Sequence, residues 1–260
     1  MQFINAPYTE LLAIARREKR KYASTPPFPN ISFPNFFNPD MLDGVLKEFP
    51  VLTAENAHHF KNHNELKLAS KGTGCFGPNT RAFVQFLNSA PFIDFLQELT
   101  GIEEKLIADH EFLGGGLHEI KKGGFLKLHA DFNKNSNNLD RRLNILIYMN
   151  KDWKNEYGGH FELWDKDLTK CVQKVAPNFN TLALFTTTDF SYHGHPDPLN
   201  CPDDMSRKSL ALYYYSDGRP QEEVQEGATN HSTIFVARKG FRQDRRKRFT
   251  VDRLMKMFFG

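Results

Sequence analysis

The stretch Gly124-Phe125-Leu126-Lys127-Leu128-His129-Ala130-Asp131 reads as a strand ending in two metal-ligating side chains two positions apart. Alternate side chains of a strand share a face, so an imidazole and a carboxylate at this spacing can point together into a barrel mouth. The stretch is one of a series. After Gly114-Gly115-Gly116, short apolar or alternating runs recur at 117–129, 142–150, 160–164, 181–186 and 209–215, separated by segments rich in Gly, Asn, Asp and Pro. Such a succession indicates a double-sheet barrel. The expected fold class is mainly β with flanking helices (α+β) around a double-stranded β-helix, or jelly-roll, core that starts at about residue 115.

Working outward, the first hundred residues read as mixed and largely helical. Apolar residues at helical spacing predict a helix over 8–22, stopped by Pro26, Pro27 and Pro29. A second is expected over 39–48 with Asn38 as its cap, a third from about 80 to 87, and a fourth over 91–99, ending before Gly101. The expected division is an N-terminal helical extension (1–30), a main domain (31–220) and a basic C-terminal tail (221–260). In that tail Arg238, Lys239, Arg242, Arg245, Arg246, Lys247 and Arg248 precede an apolar end that predicts a terminal helix. A solvated linker and a packed helix are the expected reading, in preference to a nucleic-acid patch.

Composition narrows the function class. A chain of 260 residues with 40% hydrophobic and 25% charged residues is globular, and a single large core is the simplest reading. The 24 Phe against 2 Trp tilt the fold towards sheet. A net charge of +3 gives no ground for a nucleic-acid partner. Cys75, Cys171 and Cys201 are an odd number without close spacing, so neither a disulfide framework nor a zinc ribbon is indicated. The N-terminal basic residues follow the apolar ones, the reverse of a signal peptide, and the longest apolar run, 143–149, is too short for a membrane helix. The expected setting is cytoplasmic, with no membrane partner.

A third ligand would join His129 and Asp131 from a distant strand. The segment Tyr192-His193-Gly194-His195-Pro196 offers His193 first and His195 as a rival. Two histidines and a carboxylate on one face of a metal suit a non-haem Fe(II) oxygenase, and zinc hydrolases use the same set. A keto diacid chelating such a metal would need a cation for its far carboxylate. Arg207, just before the strand 209–215, offers a bidentate fork, with Lys208 beside it.

These residues sit in a wider pattern. His129-Ala130-Asp131, Arg141, the run Ile147-Tyr148-Met149-Asn150-Lys151-Asp152-Trp153, Gly158-Gly159-His160-Phe161, Pro177, Leu184-Phe185, His193 and Arg207-Lys208-Ser209-Leu210 together resemble the catalytic core of prolyl 4-hydroxylases, including the animal oxygen-sensing enzymes. The resemblance covers about the middle third of the chain. It implies that His129, Asp131 and His193 hold Fe(II), and that Arg207 grips the C5 carboxylate of 2-oxoglutarate. It also implies that Tyr148 hydrogen-bonds that cosubstrate and Phe161 lines its pocket; Arg141 is a candidate substrate contact or an exposed strand-start charge. Ile120 departs from the family, which often has tyrosine there.

The activity so implied is a 2-oxoglutarate-dependent dioxygenase using Fe(II), 2-oxoglutarate and O₂, with ascorbate as a further candidate. It would hydroxylate an unactivated C–H bond and release succinate and CO₂. The expected substrate is a prolyl or other residue of a protein or peptide. A small metabolite or carrier-bound group is the alternative, and a non-catalytic binding barrel a third. The loops 133–140 and 197–206 are the expected seats of substrate choice.

Overall fold

The computed structural model describes residues 2–110, 112, 114–224 and 231–244. The expected terminal helix and Arg245 to Arg248 lie outside the described residues. Four helices form: α1 Leu11–Ser24, α2 Pro39–Lys47, α3 Pro78–Leu87 and α4 Ala90–Thr100. The Asn38 side chain accepts from the backbone N–H groups of Asp40 and Met41, with Pro39 already shaped for the first turn of α2. Gly101, at φ 69°, takes the left-handed conformation that closes α4.

Thirteen strands follow one another among the described residues: β1 Asn30–Pro34, β2 Ala57–Lys61, β3 Glu65–Ser70, β4 Ile107–Ala108, β5 Gly116–Lys121, β6 Phe125–Ala130, β7 Asp140–Tyr148, β8 Phe161–Trp164, β9 Cys171–Val175, β10 Thr181–Thr186, β11 His193–His195, β12 Ser206–Ser216 and β13 Ile234–Phe235. They form a single antiparallel sheet in which ten follow the order β1-β10-β7-β12-β5-β3-β6-β11-β8-β9, while β2 pairs with β3, β4 with β12 and β13 with β6. Its two halves fold over each other into a nearly closed barrel, the double-stranded β-helix expected. β3 joins the halves, pairing Leu68 and Ala69 with β5, and Glu65 and Leu66 with β6.

The run 143–149 is apolar throughout because β7 is covered on both faces. Leu143, Ile145 and Ile147 pack outward against the helices. Tyr148 turns inward, with Phe161, Ala183 and Phe185 as companions in the barrel. Phenylalanine proves a poor marker of strand here. Phe36, Phe37, Phe83, Phe92 and Phe95 form an aromatic network between the helices and the sheet.

Three departures from the sequence reading bear on the site. The single run expected over 117–129 is a hairpin, β5 and β6, reversed at Gly123 with φ 77°. A Cβ on the adjoining Gly124 would lie 2.7 Å from the Leu66 carbonyl oxygen, so only glycine fits that turn. The leading region carries three strands besides its helices. And the tail is not wholly a solvated linker: β13 pairs with the part of β6 beyond its contact with β3, Ile234 with Ala130 and Phe235 with His129. Arg238, 2% exposed, anchors this return through Asp244 at 2.7 Å and Asp197 at 2.8 Å. No helix among the described residues is long and apolar enough to cross a membrane.

Candidate metal centre

Strands β6 and β11 lie side by side with His129 directly opposite His193. Both rings enter the barrel, their centroids 4.3 Å apart. Asp131, just past the end of β6, completes the group: its Oδ1 is 3.5 Å from His129 Nε2 and its Oδ2 is 3.5 Å from His193 Nε2. One ligand atom from each of the three lies within 4.8 Å of the others, and all three residues are buried. His195 is not part of this group.

The remaining ring nitrogens explain the orientation. His129 Nδ1 is 2.9 Å from the Lys127 carbonyl oxygen, and His193 Nδ1 is 2.8 Å from that of Ser191. With Nδ1–H donating, each Nε2 turns a lone pair to the centre, as a metal-binding imidazole requires. Burial and the neighbouring His129 push His193 down to about 3. Burial disfavours the Asp131 charge, but the Arg141 guanidinium beside it outweighs burial, and the carboxyl is held well below the ordinary range. Two imidazoles and one carboxylate are a donor set that fits a divalent transition metal, with room for other ligands.

Arg141 is no exposed strand-start charge. It is 1% exposed, with Nη2 2.9 Å from Asp131 Oδ2 and its guanidinium stacked 3.3 Å from the Tyr213 ring centre. Asn144, which the sequence reading passed over, donates to Asp131 Oδ2 at 3.3 Å. Its alternation with Leu146 and Tyr148 along β7 was the available signal.

A cavity of about 220 Å³ joins the three side chains to Arg207. Arg207 is 5% exposed; its Nε donates to the Gly159 carbonyl oxygen at 2.8 Å and its Nη2 to the Tyr148 hydroxyl at 3.2 Å. It has no acidic partner among the described residues, so a buried cation faces the cavity uncompensated, the condition an incoming carboxylate would relieve. Lys208, the other candidate, turns outward to Ser206 at 2.5 Å and Glu119 at 3.7 Å. Phe161 lies edge-on to His193, with centroids 5.6 Å apart. Ile120, paired across strands with Arg207, gives the cavity an apolar wall. Phe235 of β13 packs 5.5 Å from the His129 ring, a contact with no signal in the polar tail sequence.

Residues 115–215, the segment holding all these side chains except Phe235, match the model of the 2OG-Fe(II) oxygenase superfamily. No curated protein sequence matches the chain. Among solved structures it is similar to a prolyl-4-hydroxylase from Pseudomonas putida, at 13% identity and TM-score 0.57, covering 80% of this chain and 100% of that one. It is also similar to a Trichoplax adhaerens prolyl hydroxylase solved with a hypoxia inducible factor peptide fragment, at 16% identity and TM-score 0.55, covering 81% and 92%. A third is HygX from Streptomyces hygroscopicus with nickel and 2-oxoglutarate bound, at 10% identity and TM-score 0.53, covering 84% and 97%. These likenesses establish the shared barrel. The family match and the converging side chains coincide over residues 115–215: this segment is similar to the 2OG-Fe(II) oxygenases, and its two histidines and carboxylate are a donor set that fits Fe(II) beside a cavity that fits 2-oxoglutarate.

Proposed function

We propose that this chain is an Fe(II)- and 2-oxoglutarate-dependent oxygenase that hydroxylates a prolyl or other residue of a protein or peptide. His129, Asp131 and His193 would hold the iron, and Arg207 the C5 carboxylate of 2-oxoglutarate. The observation that carries the assignment is one cavity with two Nε2 lone pairs and a carboxylate at one end and a buried, acid-free guanidinium at the other. Bound Fe(II), 2-oxoglutarate and O₂ together supply the oxidant for an unactivated C–H bond, with succinate and CO₂ as by-products.

The chain's own residues do the rest. The Lys127 and Ser191 carbonyls fix the imidazole tautomers. Arg141 and Asn144 keep Asp131 ionised and turned to the centre. Tyr148, holding Arg207 in place, keeps a hydroxyl proton for the cosubstrate. Phe161, Phe185 and Phe235 crowd the ligand rings and exclude water. The substrate role considered for Arg141 is compatible with its place in the cavity wall, although its charge is committed to Asp131.

Support for a residue-sized apolar substrate comes from the rim. Phe60, Phe132 and Phe235, all half-buried, line the cavity and offer flat apolar faces to a ring such as proline. The Trichoplax neighbour, solved with a peptide fragment, adds weight on the side of a peptide. The test is incubation with Fe(II), 2-oxoglutarate and candidate peptides, reading succinate release and a single added oxygen by mass spectrometry. Peptide-stimulated succinate with oxygen on the peptide is the expected result. Turnover stimulated only by small metabolites would assign the alternative substrate class. Absence of turnover with tight metal binding would favour a non-catalytic barrel.

A further inference from the structure

Two further imidazoles line the cavity without belonging to the metal group, the half-buried His118 and the buried His195. They differ in what they can offer. His118 is hydrogen-bonded to the Gly114 backbone, and its Nε2 is left without a partner. A neutral ring whose N–H already serves a carbonyl has only a lone pair left, which repels a carboxylate. His195 has no such commitment: it is 4% exposed, and neither ring nitrogen has a hydrogen-bond partner. Leaving both nitrogens of a buried ring unsatisfied is costly, and a polar group of this kind calls for a partner within the cavity.

Its position indicates which partner. His195 follows His193 by two residues on β11. β11 runs antiparallel to β8, pairing His193 with Leu163 and Gly194 with Glu162. That direction carries His195 towards the Gly159 end of β8, where the Gly159 carbonyl holds Arg207 Nε. Arg207 does not present a complete fork to the cavity, because Nε and one Nη2 hydrogen already serve Gly159 and Tyr148. A carboxylate has about four acceptor positions.

We propose that His195 is a positioning residue for the cosubstrate, donating its ring N–H to the distal carboxylate of 2-oxoglutarate beside Arg207 and Tyr148. The inference rests on the cosubstrate reading above. It also gives this histidine a role distinct from that of the metal ligand two residues before it.

The test is anaerobic binding to the metal-loaded full chain, followed by calorimetry and by the absorption band of the iron–keto acid chelate. Two probes are compared: 2-oxoglutarate, and 2-oxobutyrate, which chelates in the same way but lacks the distal carboxylate. His195→Leu should weaken 2-oxoglutarate about tenfold or more, the worth of one hydrogen bond to a charged group. It should leave 2-oxobutyrate and metal affinity unchanged, and His195→Gln, which keeps an N–H donor, should recover part of the loss. Equal weakening of both keto acids, no weakening of either, or loss of the metal would overturn the proposal, and His195→Gln supplies the same comparison should the leucine variant not fold. Arg207→Met serves as the reference. If it discriminates between the two probes and neither His195 variant does, the role of His195 alone fails. If Arg207→Met also fails to discriminate, the cosubstrate reading fails with it.

Discussion

Acidifying the metal-free protein from pH 7.5 to 5.5 should destabilise it, by an amount set by its buried imidazoles. Burial, reinforced by Lys67, pushes His118 down to about 3, and burial with His129 beside it pushes His193 equally low. The unfolded chain titrates these groups at their ordinary 6.5, so below that pH it binds protons that the folded chain refuses. Stability therefore rises with pH. It is fully present above the unfolded value, declines as the pH drops through 6.5, and stops declining near the folded value of about 3. At pH 5.5 each group accounts for a loss of roughly 1–2 kcal/mol. The pair costs about 3 kcal/mol, a large share of the roughly 5–15 kcal/mol that holds an ordinary domain together. For a chain of this size that is roughly 6–12 °C of melting temperature. His195, also held well below its ordinary value by burial and Arg207, acts in the same direction. Circular dichroism melts with a chelator at pH 7.5, 6.5 and 5.5 measure the slope, and His118→Leu should remove about half of the two-imidazole contribution. A melting point flat across this window, or a slope unchanged in His118→Leu, would refute the reasoning.

Other expectations concern the site directly. His129→Ala or Asp131→Ala should abolish iron-dependent succinate formation, whereas His195→Ala should retain much of it at saturating 2-oxoglutarate; an active His193→Ala beside an inactive His195→Ala would reverse the ligand assignment. Arg207→Met should weaken 2-oxoglutarate by about 100-fold or more, as loss of charge-assisted contacts to a buried carboxylate does, with little change in metal affinity. Its metal-free melting point should hold or rise, since a buried unpaired cation is gone; calorimetry and melts together check both halves. Gly159→Ala should cost about 1–2 kcal/mol in backbone strain alone, because Gly159 sits at φ 72°. Its new Cβ would also press to 3.0 Å from Arg207 Cδ, so 2-oxoglutarate affinity should fall while metal affinity holds, as titration of each would show.

Much of this was legible in the sequence because the barrel's longer strands are written in continuous apolar runs, and because His129, Asp131, His193 and Arg207 stand at strand ends where function collects. Short elements were not. β11 has three residues and β13 two, and each exists through its neighbours on β6 rather than through any propensity of its own. The β2–β3 pair carries His58, His59, Lys61 and Lys67 among few apolar residues, so no period-two signal stood out. Arg141 and Arg142 look like a solvated strand start. Both are buried by partners from distant segments, Asp131 for the first, and Glu104 and Glu223 for the second. Such pairing depends on the finished fold, and local pattern cannot announce it.

Each candidate ligand imidazole is aimed by a peptide carbonyl only two residues behind it on its own chain segment. The aiming group is main chain, so mutation of the intervening or flanking side chains leaves it in place. The coordination geometry is thereby insulated from genetic drift at the periphery. A lineage could exchange its entrance loops and acquire new substrates while inheriting the same reactive centre.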